Sequence, residues 1–525
     1  MSLDVLIKNG KIYDGIGNPW FRADIGVEEG KITSIGELKR ISADVVIDAS
    51  GLVVCPGFID IHCHSDFQLI LNPRMDSKVY QGVTTELNGN CGNSPSPLIG
   101  PDIKELRYYP VMKKLGVEPW STTREYYRIL EERGHATNTA TLLGYANVRV
   151  PVIGLDNREP DERELDVMKA LVAQGMEDGL FGLSTGLAYP PNSFAVTWEL
   201  IELCRVVAEY GGTYVTHIRS EGKLFDEAIE EAITIGEESG VSVQCVHLKA
   251  CGSIYWDKVP VTLSIIEKAR KRGVDVTTDV YPYIRDSGNF SGWIPDWAHK
   301  GGAKELLKRL TDPETRENIK NEIADRESDP RSYLSTTILT RLNNHPELSG
   351  KKITDLSKAE KKDVIDYTLD LMVKEEGLGI GISTQFGSEE NLKIILQHPA
   401  SMVGSDGSGV SAEIEEWIHP RNFGTYPRVI RKYVREEGTL TLQEAIRKCT
   451  SFPAQRLGLK DRGIIREGTW ADITIFDYKK IKDNFSLTKP NQYADGVEYV
   501  LVNGKIVLDE GRHTGKLPGK VLLRN

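Results

Sequence analysis

The chain has 525 residues and a formal net charge of −11 at pH 7, from 65 lysines and arginines against 76 aspartates and glutamates. Hydrophobic residues make up 40% of the chain and charged residues 27%, which excludes disordered, collagen-like and disulfide-scaffold proteins. The acidic balance argues against general binding to nucleic acid or to anionic membranes. This length allows about two to four domains, or one large barrel with additions.

The start of the chain and its cysteines give an expectation about its compartment. Asp4 stands where a secretory signal needs basic residues, and no window approaches the ~18 apolar residues of a membrane helix. Seven cysteines scattered through a long chain are not the pattern of a disulfide framework. We therefore expect a cytoplasmic protein in which any single cysteine can be a metal ligand or a nucleophile.

Both ends of the chain carry the signals of short β-strands. In residues 1–56, apolar and β-branched runs alternate with turn pairs such as Asn9-Gly10 and Glu29-Gly30. The same pattern returns in residues 457–525, with a turn at Asn503-Gly504. Neither segment is large enough to form a stable sheet alone, so we predict that they pair into one small, sandwich-like β domain.

Residues 57–456 alternate β-branched runs with helix-like segments, which predicts βα units around a parallel sheet. Eight such runs match the strand number of a closed (β/α)₈ TIM barrel, an α/β fold. The runs cover residues 58–62, 83–87, 139–144, 181–184, 213–218, 241–248, 274–280 and 401–405. The polar stretch 288–350 is predicted to be an inserted lid or subdomain at the strand ends.

Histidines fall at the ends of several predicted strands. His62 and His64 occupy alternate positions at the end of the first, so their rings should face the same side. His217 lies at the end of the fifth run, His247 at the end of the sixth, and Asp406 follows the eighth. A His-x-His pair alone often arises by chance, but in a barrel the carboxyl ends of all strands meet at one mouth. Imidazoles and a carboxylate gathered there predict a zinc site.

Cys91 lies just past the second predicted strand, in the glycine-rich segment Asn88-Gly89-Asn90-Cys91-Gly92. A thiolate in such a loop can bind one metal ion or bridge two, and a neighbouring cation would lower its pKa. The alternative is a small buried residue, the interpretation that suits most of the other cysteines. We favour the ligand for Cys91.

Eight short motifs are distributed along the chain: PGFIDIHCHSD at 56–66, GVTT at 82–85, NGNCG at 88–92, GLSTGL at 182–187, THIRSE at 216–221, YPY at 281–283, GSDG at 404–407 and HPR at 419–421. Together they resemble the amidohydrolase superfamily and, within it, the D-aminoacylase (N-acyl-D-amino-acid deacylase) family. The likeness covers nearly the whole chain, including the divided β domain and the insertion.

The resemblance implies a set of metal ligands. Cys91, His217 and His247 would hold one tight zinc. His62, His64 and Asp406 would form a second, weaker metal site. Many amidohydrolases bridge two metals with a carboxylated lysine from strand four, but no lysine lies in residues 182–186, so Cys91 would take that place. Zinc would activate water and polarise the amide carbonyl, with Asp406 as general base and then acid. No other cofactor is implied.

The resemblance also points to residues that bind the substrate carboxylate. These are Arg421 and Lys249, with the hydroxyls of Tyr281 and Ser287, and Tyr189 as a further pocket residue. Arg421 suits this role because its planar guanidinium donates two hydrogen bonds to a carboxylate. The alternatives are a solvated surface charge for Arg421 and simple packing for Tyr189.

The sequence thus predicts a zinc-dependent hydrolase that cleaves N-acyl-D-amino acids to a carboxylate and a free D-amino acid. One alternative is a related amidohydrolase acting on dipeptides that contain a D residue, or on cyclic amides such as hydantoins. A barrel that serves only as a binding scaffold would be marked by lost metal ligands, and none is lost here. Stereochemistry, acyl chain, side chain and oligomeric state are not fixed by the sequence.

Overall fold

The computed structural model describes residues 2–106, 108–116, 118–325, 330–377, 380–414, 416–486 and 489–524. Within them, strands from both ends of the chain form one nine-stranded sheet. The strand Val53–Pro56 joins the two ends, because it pairs with Leu3–Ile12 on one side and with Ile473–Phe476 on the other. The other strands of this sheet are Phe21–Glu28, Lys31–Gly36, Ala43–Asp48, Val497–Val502, Lys505–Asp509 and Arg512–His513.

This terminal sheet has a hydrophobic cluster of its own. Ile7 and Val27 from the start of the chain pack in it with Ile473 from the far end, and all three are fully buried. Since each end supplies only part of the apolar surface, the two terminal segments have to fold together.

The central part of the chain forms a barrel of eight parallel strands within the described residues, as predicted. The third strand is interrupted at Leu142: its first half pairs with the second strand and its second half with the fourth. A parallel bridge between Cys63 and Gly407 closes the barrel between the eighth and first strands. The barrel strands are Phe58–Asp60, Val83–Asn88, Asn138–Thr141 with Leu143–Gly144, Gly182–Gly186, Thr213–His217, Ser242–Cys245, Val276–Val280 and Ser401–Val403.

Helices surround these strands and cover their outer faces. Thr122 and Asp161 begin two of them, each with a glutamate three residues later that completes a capping box. The helices are Gln68–Leu71, Asp76–Val79, Tyr109–Leu115, Thr123–Arg133, Tyr145–Ile153, Glu162–Glu177, Thr197–Glu209, Phe225–Ser239, Lys258–Lys271, Glu389–Gln397, Arg421–Arg428, the π-helical Val429–Glu436, Leu442–Cys449 and Ser451–Leu457.

The end of the chain lies against the barrel and not in the terminal sheet. Pro518 bridges His135, and Val521 bridges Thr139 in the first half of the third strand. That half pairs with only one barrel strand, so its other edge is free to bond the tail. The segment 457–525, assigned as a whole to the small β domain, therefore ends in a tail that belongs with the barrel.

The insertion between the seventh and eighth barrel strands is longer than predicted. Two hydrogen bonds bring its ends together: the Asp286 amide donates to the Thr384 carbonyl at 2.9 Å, and the Thr384 amide donates to Oδ1 of Asp286 at 2.6 Å. Its hydrophobic cluster contains Ile353, Ile365 and Ile382, so the predicted end at residue 350 is too early. Its strands are Gly288–Asn289, Ile338–Leu339 and Gly381–Ser383, and its helices are Ala303–Thr311, Pro313–Ala324, Pro330–Ser335, Ile353–Ala359 and Val364–Lys374.

No helix in the described part of the chain combines the length and the apolar character that a bilayer crossing needs.

Candidate active site

The predicted histidines gather at the mouth of the barrel, around Cys91. The Cys91 sulfur lies 3.5 Å from Nε2 of His62, 4.0 Å from Nδ1 of His217 and 4.0 Å from Nε2 of His247. Cys91 is 4% exposed. Four side chains that come from four different strand ends thus face one another across a buried space.

Asp406 forms a second group with the histidine pair. Its Oδ1 lies 3.2 Å from Nε2 of His64 and 3.7 Å from Nε2 of His62. The first strand ends at Asp60, so both histidines lie in the loop beyond it, yet their rings still reach the same carboxylate. His62 therefore faces both Cys91 and Asp406 and links the two groups.

Three of these residues have strained backbones. Cys91, His247 and Asp406 have φ angles of 54°, 36° and 49°, in the left-handed region that residues with a Cβ rarely adopt. Such conformations persist only where surrounding contacts hold them, and they concentrate at functional sites. The turns that end the second, sixth and eighth strands are thus shaped to aim these side chains inward.

The loop that carries Cys91 is fixed by Asp66, whose Oδ1 accepts a hydrogen bond of 2.7 Å from the Gly89 amide. Its Oδ2 accepts another from the Tyr108 hydroxyl, also at 2.7 Å. Ser184 Oγ accepts a 3.1 Å bond from the amide of Gly92, on the other side of the cysteine. Asp66 thus holds the cysteine loop in place.

Glu221 and Lys249 lie behind His247. Glu221 Oε1 is 3.1 Å from Nδ1 of His247 and 2.6 Å from the Lys249 ammonium. Burial alone would raise the pKa of Glu221, but Lys249 and His217 outweigh it and hold that pKa far below its usual value. The carboxylate stays ionised and orients the imidazole.

Asp279, which the sequence analysis did not single out, orients His62. Its Oδ1 lies 3.2 Å from Nδ1 of His62 and accepts a 2.9 Å hydrogen bond from the backbone amide of His247. Gln244 donates to its Oδ2 at 2.7 Å. Its signal in the sequence was an acidic residue inside the buried strand Val276–Val280, where a carboxylate needs a specific partner.

The electrostatics of the site favour the anionic forms of its ligands. Burial opposes the Cys91 thiolate, but His62, His217 and His247 bring the pKa of this thiol well below its usual value. Burial likewise opposes the Asp406 carboxylate, but Arg421 and His62 hold its pKa well below the usual range. A thiolate and a carboxylate are the forms that bind metal.

Two of the predicted substrate residues meet at Tyr281. The Arg421 guanidinium lies 4.8 Å from the centre of the Tyr281 ring, and the Lys249 ammonium lies 5.9 Å from it. Arg421 Nη1 is 2.6 Å from Oδ2 of Asp406. Among the described residues, the Tyr281 hydroxyl and Arg421 Nε are buried without a hydrogen-bond partner, so both have a donor to offer a ligand.

The other two predicted pocket residues differ in placement. The Tyr189 ring packs edge-on against His217 at 5.2 Å, and its hydroxyl donates to the Cys91 carbonyl at 3.3 Å. Ser287 is exposed at the start of the insertion, and within the described residues no hydrogen bond joins it to Lys249 or Arg421. Tyr189 is thus brought to the cluster, and Ser287 is not.

The donor set fits metal ions. Ligand atoms that share one zinc at about 2.0–2.3 Å are about 3.3–3.8 Å apart, and the sulfur-to-nitrogen distances around Cys91 fall close to this range. Two overlapping groups share His62, and in each the donor atoms lie within 4.8 Å of one another. They are His62, Cys91, His247 and His62, His64, Asp406.

Residues 45–285 and 373–508 match the amidohydrolase family, and the gap between them falls on the insertion. An N-acyl-D-glutamate deacylase of Alcaligenes xylosoxydans xylosoxydans is 34% identical, covering 100% of this chain and 97% of its own. A D-aminoacylase of the same organism is 33% identical, covering 99% and 98%. The crystal structure of the Bordetella bronchiseptica N-acyl-D-glutamate deacylase, complexed with zinc and a phosphonate mimic of the tetrahedral intermediate, superposes with a TM-score of 0.83 at 32% identity and covers 100% of both chains. As its motifs predicted, the chain belongs to the amidohydrolase family, among the D-aminoacylases and N-acyl-D-amino-acid deacylases.

Proposed function

We propose that the protein is a zinc-dependent hydrolase that cleaves N-acyl-D-amino acids to a carboxylate and a free D-amino acid. The observation that carries this proposal is the placement of the buried Cys91 thiolate against three imidazoles, with Asp406 beside the same histidines. The full-length relatives named as deacylases of N-acyl-D-amino acids support the substrate class.

Cys91, His217 and His247 would hold the tight zinc, and His62, His64 and Asp406 the second, weaker one. When bound, zinc supplies Lewis acidity that polarises an amide carbonyl and lowers the pKa of a water molecule from 15.7 to about 7. Cys91 faces both sets of ligands, so it would take the place that a carboxylated lysine has in many other amidohydrolases. Glu221 and Asp279 orient the rings of His247 and His62 from behind.

Asp406 carries the proton. Its carboxylate takes a proton from the water that attacks the amide carbon, and it then gives that proton to the leaving nitrogen as the carbon–nitrogen bond breaks. This demands an ionised carboxylate in the free protein, which the low pKa of Asp406 provides. The acyl group leaves as a carboxylic acid and the amino acid as a free amine.

The α-carboxylate of the substrate would bind between Arg421, Lys249 and the Tyr281 hydroxyl. Two fixed cations and an unpartnered donor on one side of the metal groups suit an anion of this size. Tyr189 would line the acyl side, next to His217. Ser287 stays a prediction, and it requires the start of the insertion to move toward the substrate.

Hydrolysis of N-acetyl-D-methionine and its L form, with metal analysis of the purified protein, tests the proposal. We expect bound zinc, release of D-methionine, and a rate for the L form lower by at least about a hundredfold. A dipeptide ending in the same D residue offers the same amide and carboxylate, so it is assayed beside them. Cleavage of the L form at an equal rate, or of hydantoin alone, would contradict the proposal.

The role of Asp406 is tested separately. In Asp406→Asn, kcat should fall by at least about a hundredfold, because no carboxylate remains to accept the proton. The tight zinc should be retained, since Asp406 is not one of its proposed ligands, which are Cys91, His217 and His247. Full activity of this variant would show that the assigned base is wrong.

A further inference from the structure

A lysine that lies outside the metal groups is buried directly beneath the turn of Asp406. Lys78, in the short helix Asp76–Val79, has a side chain with 0% exposure. We propose that Lys78 is a positioning residue that fixes the turn carrying Asp406, residues 405–410. This rests on the proposed function in that Asp406 is taken as the base.

The contacts of Lys78 flank Asp406 on both sides. Its ammonium donates to Oγ of Ser405 at 2.8 Å and to the carbonyl of Gly407 at 3.2 Å. Its third hydrogen bond, of 2.6 Å, goes to Oδ2 of Asp60 at the end of the first strand. One ammonium group therefore ties the residues before and after Asp406 to the strand that leads to the histidine pair.

Asp60 completes the connection between the first and eighth strands. Its Oδ1 accepts a 2.9 Å hydrogen bond from the Ser405 amide. The backbones on either side are joined as well, since Asp406 donates to the His62 carbonyl at 2.7 Å and His64 to the Gly407 carbonyl at 2.9 Å. The separation of Asp406 from the histidines is thus set by a network that includes one charged pair.

This pair is hard to explain by stability alone. Lys78 and Asp60 are both completely buried, and Glu86 lies 3.7 Å from the same ammonium with no exposure either. Buried ion pairs often contribute no more to stability than apolar residues of the same size would. Asp406 has a φ of 49°, which contacts on its neighbours must hold. Placement of the strained turn is a role that an apolar residue could not fill.

Lys448, in the helix Leu442–Cys449, offers a matched control because it binds the other end of the strand that leads to Asp406. Its side chain is also fully buried, and it donates to the carbonyls of His398 and Ser401 at 2.7 and 2.8 Å. These contacts lie at the start of the strand Ser401–Val403, at the end away from the mouth. Lys448→Met therefore removes comparable buried hydrogen bonds without touching the turn of Asp406.

The experiment compares Lys78→Met with Lys448→Met in the full chain. For Lys78→Met we expect kcat to fall by at least about tenfold with KM changed less than about twofold, because the carboxylate-binding residues are untouched. For Lys448→Met both constants should stay within about twofold of the wild type. In the metal-free proteins, hydrogen exchange of the amides in residues 405–410 should accelerate only in Lys78→Met.

A double variant protects the test against misfolding. Lys78→Met with Asp60→Asn leaves no unpaired buried charge from this pair, so it should fold even if the single variant does not. It should show the same loss of kcat, since the bonds to Ser405 and Gly407 are still missing. If kcat and exchange in these variants match Lys448→Met, the proposal is overturned. A wild-type protein without deacylase activity would instead reject the proposed function. The hydrogen-exchange experiment would still show whether Lys78 fixes the turn of residues 405–410.

Discussion

The guanidinium of Arg421 lies against the carboxylate of Asp406, with Nη1 2.6 Å from Oδ2. Arg421 and Asp406 are only 6% and 7% exposed. The residue proposed to receive the substrate carboxylate is therefore already paired with the residue proposed to move the proton. A substrate carboxylate therefore has to share this guanidinium with Asp406 or take it over.

Arg421→Lys should raise KM for N-acetyl-D-methionine by at least about tenfold, because lysine keeps the charge but not the planar fork that grips a carboxylate. The value of kcat should change less, since Asp406 retains its histidine contacts. Steady-state kinetics over a range of substrate concentrations separates the two effects.

Arg456→Lys is the matched control for that variant. Arg456 is also buried and pairs with Asp275, with Nη1 2.8 Å from Oδ2, just before the seventh strand and away from the mouth. Its KM should stay near the wild-type value. An unchanged KM in Arg421→Lys, or an equal rise in both variants, would show that Arg421 does not bind the substrate carboxylate.

Cys91→Ala should abolish tight zinc binding. The thiolate faces three imidazoles, and no other group in the described part of the chain occupies the same position. Metal analysis after dialysis should find less than about half an equivalent of zinc, and kcat should fall by at least about a hundredfold.

Cys204→Ala removes an equally buried thiol from the helix Thr197–Glu209, on the outside of the barrel. It should lose about 1 kcal/mol or more of stability through lost packing while keeping its zinc. Retention of a full equivalent of zinc in Cys91→Ala would remove this cysteine from the metal site.

The sequence could predict the residues whose roles depend on local pattern. His217 and His247 lie where β-branched runs stop, and the parallel arrangement of those runs places their ends together. Asp279 and Lys78 could not be found this way, because their partners lie 217 and 327 residues away, at His62 and Ser405. The role of a buried acid or lysine can be assigned only when its spatial partner is known.

The boundaries that were wrong have a similar cause. The helices Ile353–Ala359 and Val364–Lys374 carry the same amphipathic pattern as helices of the barrel, so nothing local assigned them to the insertion. Both helices belong to the insertion because their apolar side chains pack into its hydrophobic cluster. The sequence alone does not separate the tail at Val521 from the β domain, because the pairing of Val521 with Thr139 is a long-range contact.

Lys448 should make stability depend on pH in the alkaline range. Burial lowers its pKa from 10.5 to about 8, although Glu444 opposes the shift. Between these pH values the unfolded chain binds more protons than the folded one. The free energy of unfolding therefore increases, and the protein becomes more stable, as pH rises from 8 toward 10.5. Between pH 7 and 9.5 the gain should be about 2 kcal/mol.

Thermal unfolding of the wild type and of Lys448→Met at the two pH values checks this. The melting temperature of the wild type should rise relative to that of the variant at the higher pH, by a few degrees. Other groups titrate in both proteins alike, so the difference isolates Lys448. A difference in melting temperature that is the same at both pH values would show that the pKa of this lysine is not lowered.

The side chain of the preferred substrate follows from a small cavity that opens beside His247 and Lys249. Its lining is mainly apolar: Leu248, Ala250, Val280, Tyr281, Tyr283, Ile284, Phe386, Leu392 and Ile395. Lys249 is the one lysine or arginine among the described residues that line it, and Glu221 already pairs with it. A second carboxylate in this cavity would be buried without a cation of its own.

We therefore expect kcat/KM for N-acetyl-D-leucine to exceed that for N-acetyl-D-glutamate by at least about tenfold. Ile284 is half-buried in the lining, so Ile284→Lys adds a cation that can still reach solvent. In Ile284→Lys, kcat/KM for N-acetyl-D-glutamate should rise relative to that for N-acetyl-D-leucine, because the new lysine compensates the charge of the substrate side chain. In Ile284→Met this ratio should stay at the wild-type value. A wild-type preference for the D-glutamate derivative would place the substrate side chain elsewhere, since the one lysine or arginine among the described residues of this lining, Lys249, already pairs with Glu221.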